Sequence, residues 1–125
     1  MAILVPVSLG ELYDKWVILH IKFHLINDET KKKNIKTEIE YLRDIVDKLQ
    51  IDSHFWDELY DVNSKLWEIE DKIRIKEKNH EFDDEFIQLA RSVYYTNDKR
   101  SEIKREINLK YDSNIIEEKS YEGYS

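Results

Sequence analysis

Cysteine is missing from this chain altogether, glycine occurs only twice and proline once. Without cysteine there are no disulfides and no thiolate metal sites. So few glycines and prolines rule out a many-stranded sheet protein, which needs turn signals at short regular intervals. No apolar run approaches the ~20 residues that a membrane-crossing helix requires. The opening MAILVPVSLGELYDK lacks a basic leader region, so no secretory signal is expected. Positive charge is also in deficit: 20 Lys and Arg against 27 Asp and Glu give a net charge of −7. Such a chain repels a phosphate backbone, and nucleic-acid binding is not expected. A cytoplasmic protein, away from membranes, is the expectation.

What is present points to helices. The 125 residues fit one domain. Hydrophobic residues at 41% are too many for a disordered chain, and Glu, Lys, Leu and Ile are good helix formers. Residues 2–7, AILVPV, read as a short extended segment in which Pro6 permits only an edge strand. The segment either packs over one end of the helices, pairs with the C-terminal stretch, or pairs with a second copy of the chain.

Ser8-Leu9-Gly10-Glu11 has the spacing of a capping box, with Val7 and Leu12 at the flanking staple positions. It opens a helix over about 8–27 whose Leu9, Leu12, Trp16, Leu19, Phe23 and Ile26 form one apolar stripe. Val17, Ile18, Ile21 and Leu25 cover the opposite side. A helix apolar on both sides lies at the centre of a bundle or at an oligomer interface. The same periodicity predicts helices over about 30–50, 54–78 and 83–110, with Asp52 or Ser53 and then Asp83 as N-caps, and a loose tail over 115–125. The expected fold is therefore an all-α, antiparallel four-helix bundle-like domain with a short extended N-terminal segment. Three long helices, with the first buried between two copies, is the variant.

The fourth helix interrupts its own apolar pattern. Phe86, Ala90, Val93, Asn97, Arg100, Lys104 and Ile107 share one stripe, and three of them are polar where apolar residues belong. Asn63, Trp67, Glu70 and Arg74 line an edge of the third helix. Folding helices three and four about residue 81 sets Glu70 opposite Arg91 or Ser92 and Asn63 opposite Asn97 to Arg100. An antiparallel first helix sets Glu11 near Lys104, and Asp14 or Lys15 near Arg100. A buried carboxylate is tolerated only when paired and hydrogen-bonded, so a mixed-charge layer is expected. The layer reads in two ways. It is a set of ion pairs that fixes helix register, or it is a pocket where Lys15, Arg91, Arg100 and Lys104 hold an anion and Glu11, Asp14 or Glu70 move protons. The candidate ligand-binding residues are Glu11, Asp14, Lys15, Glu70, Arg74, Arg91, Asn97, Asp98, Arg100 and Lys104. No catalytic residue can be named.

No metal or cofactor is expected. His20 and His24 have the i, i+4 spacing of two ligands on one helix face, but no HExxH accompanies them. Glu77 and His80 make a single ExxH where a di-iron bundle needs two. The ExxD pairs Glu11/Asp14, Glu58/Asp61, Glu68/Asp71 and Glu81/Asp84 lack the ExxE partners of helical nucleotide pyrophosphatases. Glycine-rich phosphate loops and serine elbows are absent.

The stretches VPVSLGELYDKWVILHIK, LWEIEDKIR, FIQLARSVYYTNDKRSEIKREIN and IIEEKSY resemble an uncharacterised family of small helical proteins from bacteria and marine phages. The resemblance spans nearly the whole chain, and its motif positions overlap the polar layer. It implies a setting near surface-polysaccharide genes and assigns no activity. Trp16 and His20 depart from the motif, a further point against a histidine site. The expected function is a small binding or adaptor protein that acts on a protein partner, as a homodimer. The alternative is an anion-binding protein or enzyme that handles a phosphorylated sugar or nucleotide through the layer.

Overall fold

The computed structural model describes residues 1–124; Ser125, the last residue of the expected tail, lies outside them. Four helices follow one another: α1 (Leu9–Leu25), α2 (Glu29–Leu49), α3 (Ser53–Lys78) and α4 (Asp84–Lys110). No strand occurs among the described residues, and the helices pack into an all-α, four-helix bundle-like domain. Its arrangement is not square. α1 lies against all three other helices, whereas α2 packs closely on α1 alone. This is why α1 must be apolar on two sides. Val17 is 0% and Ile21 2% exposed within a single chain, so the burial of α1 does not call for a second copy.

The helix ends follow local chemistry. At the start of α1, the amides of Leu9, Gly10 and Glu11, which have no intrahelical acceptor, are all satisfied by side chains, and the Leu12 amide makes the first helical bond. Leu9 N–H donates to Ser113 Oγ at 3.1 Å, Gly10 N–H to Asn108 Oδ1 at 2.7 Å, Glu11 N–H to Ser8 Oγ at 3.1 Å and Leu12 N–H to the Ser8 carbonyl at 3.1 Å. The serine half of the expected capping box therefore forms. The return bond from Glu11 to the Ser8 amide is not made among the described residues, because the carboxylate reaches across to α4 instead. Asp28 caps α2 through Lys31 N–H, and Gln50 ends it in the left-handed region at φ 47°. Asp83 caps α4 through Phe86 N–H at 3.0 Å, and Phe82 packs edge-on against Phe86 at 5.2 Å. Lys76 Nζ gathers Glu81, Asp83 and Glu85 at 3.1, 2.8 and 3.3 Å and locks the α3–α4 turn.

The core lies at one end of the molecule. Tyr13, Trp16, Val17, Leu19 and Ile21 of α1 meet Ile35, Ile39 and Val46 of α2, Phe55, Leu59 and Val62 of α3, and Ile103 and Ile107 of α4. No residue between Asn63 and Ile103 is buried. The outer half of the α3–α4 hairpin is thus two helices without a full cover, and its seam residues Ile69, Ile73, Phe86 and Ala90 are only half-buried.

The N-terminal segment corrects one expectation. Residues 1–7 neither pack over the helices nor pair as a strand among the described residues; every one is exposed. The end they would cover is already closed by the turn after α4, where Ser113 bonds the Leu9 amide. The C-terminal stretch is likewise not a free end. It runs back along α4, tethered by side-chain bonds.

Gly10 lets α1 approach α4 closely. A Cβ built there would stand 2.4 Å from the Lys104 carbonyl oxygen, a backbone atom that cannot swing aside. We predict that Gly10→Ala lowers stability by about 1–3 kcal/mol, the usual range for overpacking. Gly123→Ala, which meets nothing within 4 Å, should leave it unchanged. Urea midpoints of the two variants check this.

Candidate functional site

Glu11 and Asp14 sit three residues apart on α1, and Arg100 and Lys104 four apart on α4, so each pair occupies one helix face. Antiparallel packing across Gly10 brings the two faces together. Asp14 is 1% exposed. Its Oδ1 accepts from Arg100 Nε at 3.1 Å and from Asn63 Nδ2 of α3 at 2.9 Å. Its Oδ2 accepts from Arg100 Nε at 3.1 Å and Nη2 at 2.5 Å. Three helices therefore converge on one carboxylate. The Asp14 carboxylate raises the Arg100 pKa further above its ordinary value and outweighs the opposing effect of burial.

One turn along, Lys104 Nζ donates to Glu11 at 2.8 Å and to Glu117 of the C-terminal segment at 3.3 Å. Burial works against the charged ammonium, but the Glu11, Asp14 and Glu117 carboxylates outweigh it, and the Lys104 pKa lies above that of an ordinary lysine. Asn108 completes the layer from the next turn of α4, buried and bonded to the Gly10 amide. No buried side-chain polar atom among the described residues lacks a hydrogen-bond partner.

The C-terminal segment extends the charged face outward. Glu118 pairs with Arg105 at 2.8 Å, alongside the Glu117–Lys104 pair. Farther on, the Tyr124 hydroxyl donates to Asp98, and its ring lies 5.2 Å from Tyr94 and 4.8 Å from Tyr95. That bond lifts the Tyr124 pKa to about 12. Between this C-terminal strap, residues 115–124, and α4 is a hollow of about 960 Å³ bordered by Asn97, Asp98, Arg100, Lys104, Lys119 and Tyr121 among others.

The register read from the turns holds where the layer is buried: Glu11 meets Lys104, Asp14 meets Arg100, and Asn63 lies at that level. Elsewhere it fails. Lys15 turns to α2 and pairs with Glu38 at 3.4 Å, with more than half of its side chain exposed. Glu70 bonds Arg74 along its own helix at 3.2 Å rather than Arg91. Arg91 stays on the exposed face of α4, over the Tyr95 ring at 5.9 Å. Long charged side chains choose the nearest solvated partner unless burial forbids it, and at these three positions burial does not. Asn108, Ser113 and Glu117 were not among the candidates. Asn108 lies four residues after Lys104 on the same stripe, and Glu117-Glu118 mirror Lys104-Arg105, signals that only a folded-back tail makes meaningful.

His20 is a packing residue. Its Nδ1 lies 2.8 Å from the Trp16 carbonyl oxygen, and its ring stands edge-on to Trp16 and Trp56 at 4.4 and 5.2 Å. Among the described residues no group of three or more His, Asp or Glu is placed to hold a metal ion. No helix of the structure is long and apolar enough to cross a membrane.

The chain belongs to DUF6165, a family of unknown function. The family model matches residues 3–124, so the four helices, the charged layer and the strap all lie within it. No curated protein and no solved structure matches the chain. Membership in DUF6165 brings no reaction with it, and the chemistry must be read from the groups themselves. Both oxygens of Asp14 are engaged by Arg100 and Asn63, and the Lys104 ammonium is engaged by Glu11 and Glu117.

Two predictions follow from this geometry. Asp14→Ala strands the Arg100 guanidinium in a largely buried position and should cost about 3–5 kcal/mol, as for other broken buried pairs; chemical denaturation measures it. The second concerns pH. Lys104 holds the Glu117 pKa below the ordinary glutamate value. A depressed folded pKa gives stabilisation that is present above the unfolded value and lost as pH falls through the folded one. The strap should therefore stay docked at neutral and mildly acid pH and detach only below the usual glutamate range, as read from the NMR signals of Tyr124.

Proposed function

We propose that this protein is a small helical binding protein that works by contact with another protein chain, including a second copy of itself. The observation that carries the reading is the extended segment MAILVPV. Ile3 is 81%, Leu4 93% and Val5 66% exposed. A contiguous apolar arm costs free energy in water and serves as a contact surface in soluble proteins. Its backbone N–H and C=O groups are free to add as a strand to a sheet edge or to another arm, except at Pro6, which has no N–H. Identical arms on two copies pair with each other, and a homodimer is the simplest outcome.

The charged layer supports a structural role in this reading. Its groups are mutually satisfied, and it sets the level at which α1, α3 and α4 meet. An acidic chain with no cysteine suits the cytoplasm, of a bacterial or phage-infected cell, and is unsuited to nucleic acid. A second reading, an anion-binding protein or enzyme for a phosphorylated sugar or nucleotide, draws on the hollow beside Arg100 and Lys104.

Sedimentation of the full chain at micromolar concentration tests the first reading. We expect concentration-dependent association that Leu4→Lys with Val5→Lys abolishes while helix content and melting temperature stay unchanged. A monomer throughout would overturn self-association. A thermal-shift panel of nucleotides, sugar phosphates and metals tests the second, because a ligand of the folded state raises stability with its concentration. A flat response is the expected result.

A further inference from the structure

We propose that the cleft between α1 and α3 binds a monocarboxylate with an apolar or aromatic body, gripped by the outer edge of the Arg100 guanidinium. This goes beyond the binding role argued above and stands without the N-terminal arm.

Asp14 occupies Arg100 Nε and Nη2 from inside the bundle. Asn63 holds Asp14 in turn. Arg100 Nη1 makes no hydrogen bond among the described residues, and 28% of the side chain remains exposed. The outer edge of the guanidinium is therefore both fixed and free. A planar carboxylate matches such a fork with two parallel N–H···O bonds, and the ordering of the arginine has already been accomplished by folding.

Arg100 borders a cleft of about 440 Å³. That volume lies within the range of small-molecule sites. Its apolar walls are Ile18 and Ile21 from α1 and Leu66 and Trp67 from α3. They offer room for a ring or branched chain. Lys22 stands on the rim and forms no ion pair among the described residues, while Arg74 is engaged by Glu70. With Asp14 counted against Arg100, the three cations Lys22, Arg74 and Arg100 are balanced by Asp14, Glu70 and Asp71, and the cleft carries no surplus charge that would favour a phosphate dianion over a monoanion. The larger hollow beside Arg100 mixes three cations, Arg100, Lys104 and Lys119, with three carboxylates, Asp98, Glu102 and Glu122.

An NMR titration of the ¹⁵N-labelled full chain with 3-phenylpropionate tests this. 3-Phenylpropionamide serves as the neutral control and inorganic phosphate as the dianion. The three tryptophans are built-in reporters: Trp67 lines the cleft, Trp56 lines a separate shallow hollow on α3, and Trp16 is buried. We expect the acid to shift the Trp67 indole N–H saturably while the Trp16 and Trp56 signals stay in place. The amide should bind about tenfold more weakly, the equivalent of losing one charged hydrogen bond. Arg100→Lys, which keeps the charge and loses the fork, should weaken binding about as much. Lys22→Ala, on the rim, should weaken it severalfold with the fold untouched, and so keeps the test valid if Arg100→Lys unfolds. An unmoved Trp67 signal up to the solubility limit overturns the proposal. So does an equal response to acid and amide, a phosphate response as strong as that to the carboxylate, or shifts confined to the tyrosines under the strap. None of these results bears on the arm.

Discussion

A carboxylate with 1% exposure organises this molecule. Desolvating Asp14 costs several kcal/mol, and that cost is tolerable only if its oxygens find strong donors in fixed positions. Arg100 and Asn63 are those donors, from two different helices. Hydrophobic packing is non-directional and would accept α1 shifted by a turn along the groove between α3 and α4. A shift of one turn would break the paired contact of Asp14 with Arg100 and take it out of reach of Asn63. The ion pair thus contributes less to net stability than to the choice of one register over its neighbours, the role best attested for buried polar groups.

The rest of the contact between α1 and α4 is consistent with that register. Gly10 permits backbone approach at the level where Asn108 can take its amide. Lys104 lies where Glu11 can reach it, and the turn after α4 brings Ser113 to the Leu9 amide. Each of these would be lost in the same one-turn slip, so the specificity of the polar network is collective.

The buried core and the exposed apolar groups occupy largely different parts of the molecule. The core gathers at the end where all four helices meet, and the hairpin beyond it, the N-terminal arm and the C-terminal strap carry many of the exposed apolar and aromatic groups; Phe23, Leu25, Tyr41 and Ile45 on α1 and α2 are others. Tyr94, Tyr95 and Tyr124 cluster under the strap, and Ile3, Leu4 and Val5 lie along the arm. Arg100 lies between the two, bonded to Asp14 on its inner edge and with 28% of its side chain exposed.

Much of this was legible in the sequence. Helix periodicity located all four helices to within two residues at each end, because caps and apolar spacing are local properties. The polar interruptions at Asn97, Arg100 and Lys104 announced a buried charged layer, and turn positions aligned Glu11 with Lys104 and Asp14 with Arg100. What the sequence could not decide was the partner of any charge near water. Lys15, Glu70 and Arg91 have long, flexible side chains with several solvated acceptors or donors in reach, and differences of a few tenths of a kcal/mol choose among them. Nor could it decide that α2 would pack closely on α1 alone, that the arm would stand clear of the helices, or that Glu117 and Glu118 would return to α4. Those outcomes depend on which surfaces remain open after the helices have packed, a property of the assembled molecule and of no segment taken alone.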